Sequence, residues 1–374
     1  MSGVYAPGVL PAAIASLALA GCMPSYSMTP EQAPGRTCPG SDGPVWYFPE
    51  EAADNARLED WCMTVGPPVV RLQPTGAFPD LESGADLTTW SWNVAAGGGD
   101  LRRFLIEPAG LKCAGPESAL GPDAAHFALL VQEAFRQSAD VPETLAPGLI
   151  PRAAAEETRP GGRPDIVDIA EECGLSLVYV AASRNGDAVA SGEREDRGVA
   201  ILSTLPLSDV WFMELPYEAA RRVAVGATVR DGSGHGLRLV NVHLTSAPPP
   251  ARMLATGNGS RLRQGLAVAE ALRQVEAAGS EGAGAGDSAP STLLAGDFNT
   301  WSDSETTLLR LREMFPDSPQ PLDHPTRGAF PTDHVLFRHG DSDAATILTS
   351  SYARVEDRFY SDHYPVGVRV RFHR

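Results

Sequence analysis

The stretch LLAGDFN, residues 293–299, places a carboxylate and an amide side chain at the end of a short apolar run. This pattern is typical of a buried β-strand that ends in a turn. Asp297 and Asn299 are two residues apart, so in an extended segment their side chains face the same side. The pair would either close the strand as an Asx turn or stand as two fixed polar groups at the rim of a sheet.

Five other short blocks combine an apolar run with polar side chains at its end. A rigid sheet rim can hold such groups within the tolerance that catalysis needs. The recurrence therefore predicts that these side chains meet at one site. The other blocks are WN at 92–93, VQE at 131–133, NVHL at 241–244, TDHVL at 332–336 and SDHYP at 361–365.

The rest of the chain predicts many short strands and few helices. Helical spacing occurs at 165–173 and 261–277, and surface loops are predicted at 138–163 and 277–289. Many strands with few helices between them indicate an α+β fold, a two-sheet β-sandwich flanked by helices. Strands are predicted at 87–95, 124–135, 175–181, 198–203, 223–230, 237–244, 293–297, 334–338 and 366–372.

Taken in order, the six blocks resemble the signature motifs of the endonuclease/exonuclease/phosphatase superfamily, which includes deoxyribonucleases, abasic-site endonucleases, neutral sphingomyelinases and inositol-polyphosphate phosphatases. Two intermediate blocks, RGVAILS at 197–203 and RRVAV at 221–225, match as well. A single GDFN would be weak evidence, but six ordered blocks are specific. The resemblance implies a four-layer, deoxyribonuclease I-like domain over residues 86–374 that hydrolyses a phosphoester with Mg²⁺ or Mn²⁺.

The resemblance also implies a role for each polar residue, and the residue types suit the chemistry. Phosphoester hydrolysis requires charge stabilisation on phosphoryl oxygens and a positioned water, and hard divalent cations prefer oxygen ligands. The implied roles are catalysis for His243, Asp297, Asp333 and His363, phosphate binding for Asn93, Asn299 and Arg197, and metal binding for Glu133, Asn93 and Asp362.

Some of these assignments have alternatives. Glu133 would otherwise be an exposed strand-end glutamate, and Asn93 a turn-forming asparagine. Whether His243 or His363 is the acid or the base stays open, because coupled groups titrate as a set. His334 adjoins Asp333, so in a strand it must face away from the site. Four arginines near the blocks would bind substrate phosphate or form surface salt bridges: Arg136, Arg184, Arg197 and Arg222.

Charge narrows the choice of substrate. The formal net charge of −17 repels polyanions overall and disfavours long nucleic acid, unless a local arginine patch reverses it. No long hydrophobic hairpin is evident for insertion into membranes. The candidate substrates are nucleic acid, a phospholipid head group or a small phosphoester, and a monomer is expected. The alternative function is a catalytically silent envelope-binding protein on the same fold, which would have no need of the complete polar set.

The N-terminal sequence predicts export. An apolar stretch at 10–20 has the length of a signal-peptide h-region. It ends in LAGC, residues 19–22, which resembles a bacterial lipobox with Cys22 as the acylated residue. Residues 1–21 are thus predicted to be a signal peptide, and residues 22–85 a lipid tether with a small disulfide-pinned extension. A plain secretory signal or a disordered leader is the alternative, so the expected location is the cell envelope, lipid-anchored or secreted.

Without Cys22 four cysteines are left, an even number that suits an oxidising compartment. They contain no CxxC pair, which argues against a structural zinc site. The preferred pairing joins Cys38 to Cys62 and Cys113 to Cys173, because each bond closes a moderate loop. Two other pairings, or four buried thiols, are the alternatives.

Overall fold

The computed structural model describes residues 28–29, 45–49, 51–143, 163–184, 194–218, 220–246, 259–282, 289–340 and 344–373. The predicted signal peptide, Cys22 and Cys38 lie outside these residues, as does much of the predicted loop at 138–163.

Strands dominate the described part of the chain, and its helices are few. Within it, no helix has both the length and the apolar character needed to cross a membrane. The helices are α1 (Ala52–Cys62), α2 (Leu101–Ile106), α3 (Ile166–Glu172), α4 (Gly259–Gly282) and α5 (Thr306–Met314). The strands are β1 (Met28–Thr29), β2 (Val45–Pro49), β3 (Val69–Arg71), β4 (Asp86–Asn93), β5 (Leu111–Lys112), β6 (Ala119–Leu120), β7 (Phe127–Gln137), β8 (Ser176–Arg184), β9 (Glu195–Ser203), β10 (Ser208–Glu214), β11 (Val223–Arg230), β12 (Gly236–His243), β13 (Ser291–Asp297), β14 (Asp333–Arg338), β15 (Ala345–Arg354) and β16 (Val366–Phe372).

Two seven-stranded sheets form the body of the fold. The first sheet has the order β1-β2-β10-β11-β12-β13-β14, and the second has the order β15-β16-β4-β7-β9-β8-β3. Two parallel pairs lie near the middle of the sheets, β12 with β13 and β4 with β7. Because parallel strands end at the same edge, the polar residues that follow these four strands meet at one end of the sandwich.

The sheets pack face to face through one apolar layer, in which Leu130 and Ile201 of the second sheet meet Val225 and Leu239 of the first. Neighbouring residues in these strands point to opposite faces, so each outer face is apolar as well. Helices α2 and α3 cover the outer face of the second sheet, and α4 and α5 cover that of the first. The predicted α+β, four-layer sandwich is confirmed.

A polar contact crosses the apolar layer close to the polar end of the sandwich. Gln132 in the second sheet donates from Nε2 to Oδ1 of Asn241 in the first, at 2.7 Å. Asn241 Nδ2 donates in turn to the carbonyl oxygens of Val131 and Ala200, each at 2.8 Å. Buried hydrogen bonds of this kind favour a single arrangement of the packed sheets. They fix one sheet on the other within two residues of Glu133 and His243.

The predicted extension at 22–85 contributes to both sheets. Strand β2 pairs in parallel with β10, and β3 pairs with β8 at the far edge of the second sheet. Trp46 and Phe48 of β2 are buried in the layer between the sheets. The described part of the extension is therefore continuous with the two sheets instead of standing apart, because its apolar residues fill the layer between them.

The predicted bond between Cys113 and Cys173 is present and joins the segment after β5 to the end of α3. Cys62 is also disulfide-bonded. Its predicted partner, Cys38, lies outside the described residues.

Candidate active site

The two sheets meet at a hydrogen bond between their polar blocks. Asn93 ends β4 in the second sheet, and Asp297 ends β13 in the first. Asn93 Nδ2 donates to Asp297 Oδ2 at 2.9 Å, and both side chains are buried. The predicted meeting of polar groups at the sheet rim is thus observed, and Asp297 lies at its centre.

Glu133 lies on an irregularity of β7. The pairing of β7 with β9 shifts register between Gln132 and Ala134, and Glu133 has a φ of 54°. A β-bulge re-aims a side chain, and a left-handed backbone at a non-glycine residue costs roughly 1–3 kcal/mol. Glu133 Oε2 accepts a hydrogen bond from Arg197 Nη1 at 3.0 Å. The bulge therefore directs a partly exposed carboxylate towards the site.

Asp297 is a buried carboxylate with several polar neighbours. Besides Asn93, its Oδ1 accepts from the backbone N–H of Asn299 at 2.8 Å. Its Oδ2 lies 3.4 Å from His243 Nε2 and 3.7 Å from His363 Nε2. Burial raises the pKa of Asp297 to about 6, although the charge of His363 acts in the opposite direction. A carboxylate with a pKa near the working pH is suited to accept a proton.

His363 and Asp333 form a buried imidazole–carboxylate pair. His363 Nδ1 lies 2.8 Å from Asp333 Oδ2, and the Thr332 hydroxyl donates to the same oxygen at 2.9 Å. Burial alone would lower the pKa of His363, but Asp333 and Asp297 raise it to about 9. Burial alone would raise the pKa of Asp333, but His363 holds it below its ordinary value. The predicted partnership of these two residues is present in the structure.

His243 lies between positive and negative groups. Arg222 Nη1 is 3.0 Å from His243 Nδ1, while His243 Nε2 is 3.9 Å from Glu133 Oε1. These three residues line a small open cleft together with Arg197 and Ser183. The cleft adjoins His243 and brings the guanidinium groups of Arg197 and Arg222 to this side of the candidate site.

The remaining predicted residues lie around this centre. Asn299 has a φ of 53°, and its Nδ2 donates to the carbonyl oxygen of Leu244 at 3.0 Å. Asp362 is 47% exposed and forms an ion pair with Arg327 at 2.7 Å. Its Oδ1 lies 3.8 Å from His363 Nε2. Asp362 therefore belongs to the rim of the site, whereas Asn299 is part of its buried floor.

Two of the four arginines near the blocks lie elsewhere, and they are buried instead of forming surface salt bridges. Arg136 pairs with Asp196, and both side chains are inaccessible to solvent. Arg184 donates from Nη1 to the carbonyl oxygen of Thr64 at 3.2 Å. These arginines hold the segment between α1 and β3 against the second sheet and are not available to substrate.

The oxygen donors at the centre fit a hard divalent cation. Asp297, Asp333 and His363 bring ligand atoms within 4.8 Å of one another. However, the Asp333 oxygen nearest His363 already accepts two hydrogen bonds. Asp333 and His363 are therefore better described as a hydrogen-bonded relay whose Nε2 lies 3.7 Å from Asp297 Oδ2. Glu133 and Asp297 offer carboxylates on either side of His243 Nε2, and amide and carboxylate oxygens are the ligands that Mg²⁺ prefers. The donor set therefore fits Mg²⁺ or Mn²⁺ on the side of Glu133.

His334 faces away from this centre, as the alternation of β14 predicts. Its ring packs edge-on against Phe298, with the centroids 5.6 Å apart, and its Nε2 lies 2.7 Å from the Thr300 hydroxyl oxygen. Burial lowers the pKa of His334 to about 4. His334 is a neutral core residue.

We expect acid to destabilise the protein through His334. Between pH of about 6.5 and about 4 the unfolded chain binds a proton at this residue and the folded chain does not, so stability falls as the pH falls through that window. The loss amounts to ~3 kcal/mol at most. The free energy of unfolding, measured with urea at several pH values, should fall less steeply towards acid pH for His334→Gln than for the wild type. Equal slopes would contradict this prediction.

The sequence pattern of the Endonuclease/Exonuclease/phosphatase family matches residues 90–363. The chain belongs to this family. The match begins ahead of Asn93 and ends at His363, so it contains all the proposed catalytic, phosphate-binding and metal-binding residues. Members of the Endonuclease/Exonuclease/phosphatase family are generally phosphoester hydrolases. No curated protein sequence matches the chain significantly.

Solved structures that are similar to this family member share little sequence with it. The human Nocturnin catalytic domain with a bound sulfate anion is 14% identical over 79% of this chain and 96% of its own, with a TM-score of 0.48. A functionally unknown conserved protein from Enterococcus faecalis V583 is 14% identical over 76% of this chain and 100% of its own, with a TM-score of 0.45. Truncated Caenorhabditis elegans TDP2 is 15% identical over 78% of this chain and 98% of its own, with a TM-score of 0.40.

Proposed function

We propose that the protein is a divalent-metal-dependent phosphoester hydrolase whose reaction occurs at Asp297. The observation that carries this proposal is the convergence on one buried carboxylate of an amide at 2.9 Å and two imidazoles within 4 Å. A protein that only binds a ligand has no need of a relay such as Asp333–His363. If the protein were instead a catalytically silent envelope-binding protein, the Asp333–His363 relay would have no role.

Each residue of the proposed site has its own role in the reaction. Asp297 orients the attacking water and accepts its proton, and Asn93 holds the Asp297 carboxylate in place. His363, kept cationic by Asp333, donates a hydrogen bond or a proton from Nε2 to an oxygen of the phosphate group. Arg197, in the cleft, supplies positive charge next to the phosphate, and Asn299, in the buried floor, supplies a neutral amide that contacts it.

Glu133, with Asn93 and Asp297, would hold Mg²⁺ or Mn²⁺, which would neutralise charge on the phosphoryl oxygens. The pairing of Asp362 with Arg327 keeps its carboxylate at the rim. We therefore propose that Asp362 acts on the cation and on His363 from the rim, without binding the cation directly.

A panel of substrates tests the proposed function. Purified protein is incubated with plasmid DNA, RNA, sphingomyelin and phosphorylated inositols, with Mg²⁺ or Mn²⁺ and with excess EDTA. We expect hydrolysis of at least one class, abolished by EDTA, and we expect long nucleic acid to be a poor substrate because of the net charge of −17. Full activity in EDTA would exclude a metal-dependent reaction, and inertness towards every class would favour the silent binding protein.

We also propose that the protein acts at the cell envelope through a lipid on Cys22. The disulfide between Cys113 and Cys173 supports this location, because such bonds persist in oxidising compartments. Cys22→Ser is expected to move the protein from the membrane fraction to the soluble fraction, since acylation requires the thiol. Immunoblots of fractionated cells measure the shift. A wild-type protein that is already soluble would leave plain secretion as the explanation.

A further inference from the structure

The surroundings of His243 differ at its two ring nitrogens. Arg222 Nη1 lies 3.0 Å from Nδ1. On the other side, Nε2 is 3.4 Å from Asp297 Oδ2 and 3.9 Å from Glu133 Oε1. One nitrogen therefore faces a guanidinium group and the other faces two carboxylates.

The chemistry of these neighbours fixes the position of the ring proton. A guanidinium group has only donors, and an ionised carboxylate has only acceptors. Nδ1 must therefore present its lone pair to Arg222, and the hydrogen of a neutral ring must then lie on Nε2, the nitrogen on the side of the carboxylates. Both contacts require the same tautomer.

Arg222 is held in a way that makes this constraint rigid. Its side chain is 6% exposed, and its carbonyl oxygen accepts a hydrogen bond from the N–H of Leu215 at 2.9 Å. Val223, the next residue, begins β11 and pairs with Glu214 of β10. The guanidinium group thus projects from the start of a paired strand and not from a free loop.

The second imidazole has the opposite arrangement. His363 Nδ1 faces the Asp333 carboxylate at 2.8 Å, where His243 Nδ1 faces a guanidinium group. Asp333 favours a hydrogen on Nδ1 and a positive ring, whereas Arg222 excludes a hydrogen from Nδ1 and disfavours a positive ring. The two histidines beside Asp297 are therefore expected to differ in tautomer and in charge.

We propose that Arg222 is a positioning residue that holds His243 as the Nε2–H tautomer, so that His243 is a fixed hydrogen-bond donor on the side of Asp297. The proposal rests on the proposed hydrolase function. In this arrangement Nε2–H of His243 stabilises charge on a phosphoryl oxygen, as an oxyanion-hole donor does, and such a donor contributes ~10²–10³-fold to turnover.

Nitrogen NMR of the histidine rings tests the tautomer directly. Protein labelled with ¹⁵N in histidine is measured at neutral pH, with EDTA and with Mg²⁺, and His243 is assigned from His243→Gln. In the wild type we expect a lone pair on Nδ1 and a hydrogen on Nε2. In Arg222→Gln, whose amide can donate or accept, we expect both tautomers. Arg222→Lys, which only donates, should restore the wild-type pattern.

Kinetics on the substrate found in the panel provide the second readout. We expect Arg222→Gln to lower kcat by ~10–10²-fold with KM nearly unchanged, because the effect passes through His243 to the transition state. Arg222→Lys should recover most of the loss. Thermal melting checks that both variants are folded.

The outcomes separate this proposal from the proposed function. A hydrogen on Nδ1 of His243 in the wild type would overturn the proposal, whether or not the protein is active. A rise in KM as the main effect of Arg222→Gln would also overturn it, because Arg222 would then bind substrate directly. Failure of the whole substrate panel with the expected wild-type tautomer would overturn the hydrolase function and leave the tautomer assignment standing.

Discussion

Glu133→Gln is expected to lower metal-dependent turnover by about 10³-fold while the protein keeps its fold. A bound cation contributes several kcal/mol to transition-state stabilisation, and each ~1.4 kcal/mol is a factor of ten in rate. Glutamine has nearly the same volume, so the change removes one negative charge from the proposed cation site and little else. It also leaves Arg197 without its carboxylate partner at 3.0 Å, which makes the cleft more positive and less able to hold a cation.

Glu276→Gln is a matched control. Glu276 is 25% exposed against 21% for Glu133, and each accepts from an arginine Nη1 at 3.0 Å; Glu276 also accepts from Arg338 Nη2. Glu276 lies on α4, away from the site. Initial rates over a range of Mg²⁺ concentrations should show a large loss for Glu133→Gln and no change for the control. Equal rates for Glu133→Gln and wild type in saturating Mg²⁺ would remove Glu133 from the site.

Asp297→Asn is expected to have an effect at least as large, about 10⁴-fold. General base catalysis contributes ~10²–10⁴-fold, and this change also removes the negative charge that helps to keep His363 protonated. The amide has the same shape as the carboxylate and can still contact Asn93, so packing at the junction of the two sheets is retained. Raising the pH should not restore the activity, because an amide cannot be deprotonated in the accessible range.

Asp231→Asn serves as the control for Asp297→Asn. Asp231 is also buried, and its Oδ1 accepts from the backbone N–H groups of Ser233 and His235, each at 2.9 Å. It lies in the turn between β11 and β12, at the opposite end of the first sheet. The control should retain its turnover and melt within a few degrees of the wild type. An Asp297→Asn protein that keeps a tenth of the wild-type kcat would rule out Asp297 as the base.

Much of the fold followed from the sequence because its strands are apolar and their ends are polar. The predicted strands at 223–230 and 366–372 coincide with β11 and β16, and the others differ from the observed strands by a few residues at their ends. Strands β10 and β15 were not predicted, and neither were the shorter strands β1, β2, β3, β5 and β6. The β15 sequence, ATILTSSYAR, has several exposed polar residues at the edge of the second sheet, so it lacks the apolar run that marks a central strand.

The sequence named most residues of the candidate site, but it did not show which of them contact one another. Spacing along the chain placed Asn93, Asp297 and His363 in separate blocks, and the structure joins them at one point. The contact of Arg222 with His243 could not be predicted from the sequence, because the two residues are 21 positions apart and only the pairing of β11 with β12 brings them together. Thr332 was missed as a donor to Asp333 for a similar reason, since its side-chain direction depends on the loop before β14.

The left-handed backbone at Glu133 has a consequence for evolution and for engineering. Glycine adopts this conformation without the cost that any other residue incurs, so Glu133→Gly should raise the melting temperature by a few degrees while it abolishes turnover. Activity and thermal stability would then oppose each other at this position. A library screened for heat resistance alone would accumulate glycine at residue 133 and yield robust but inert proteins, whereas a screen that also requires turnover would keep glutamate.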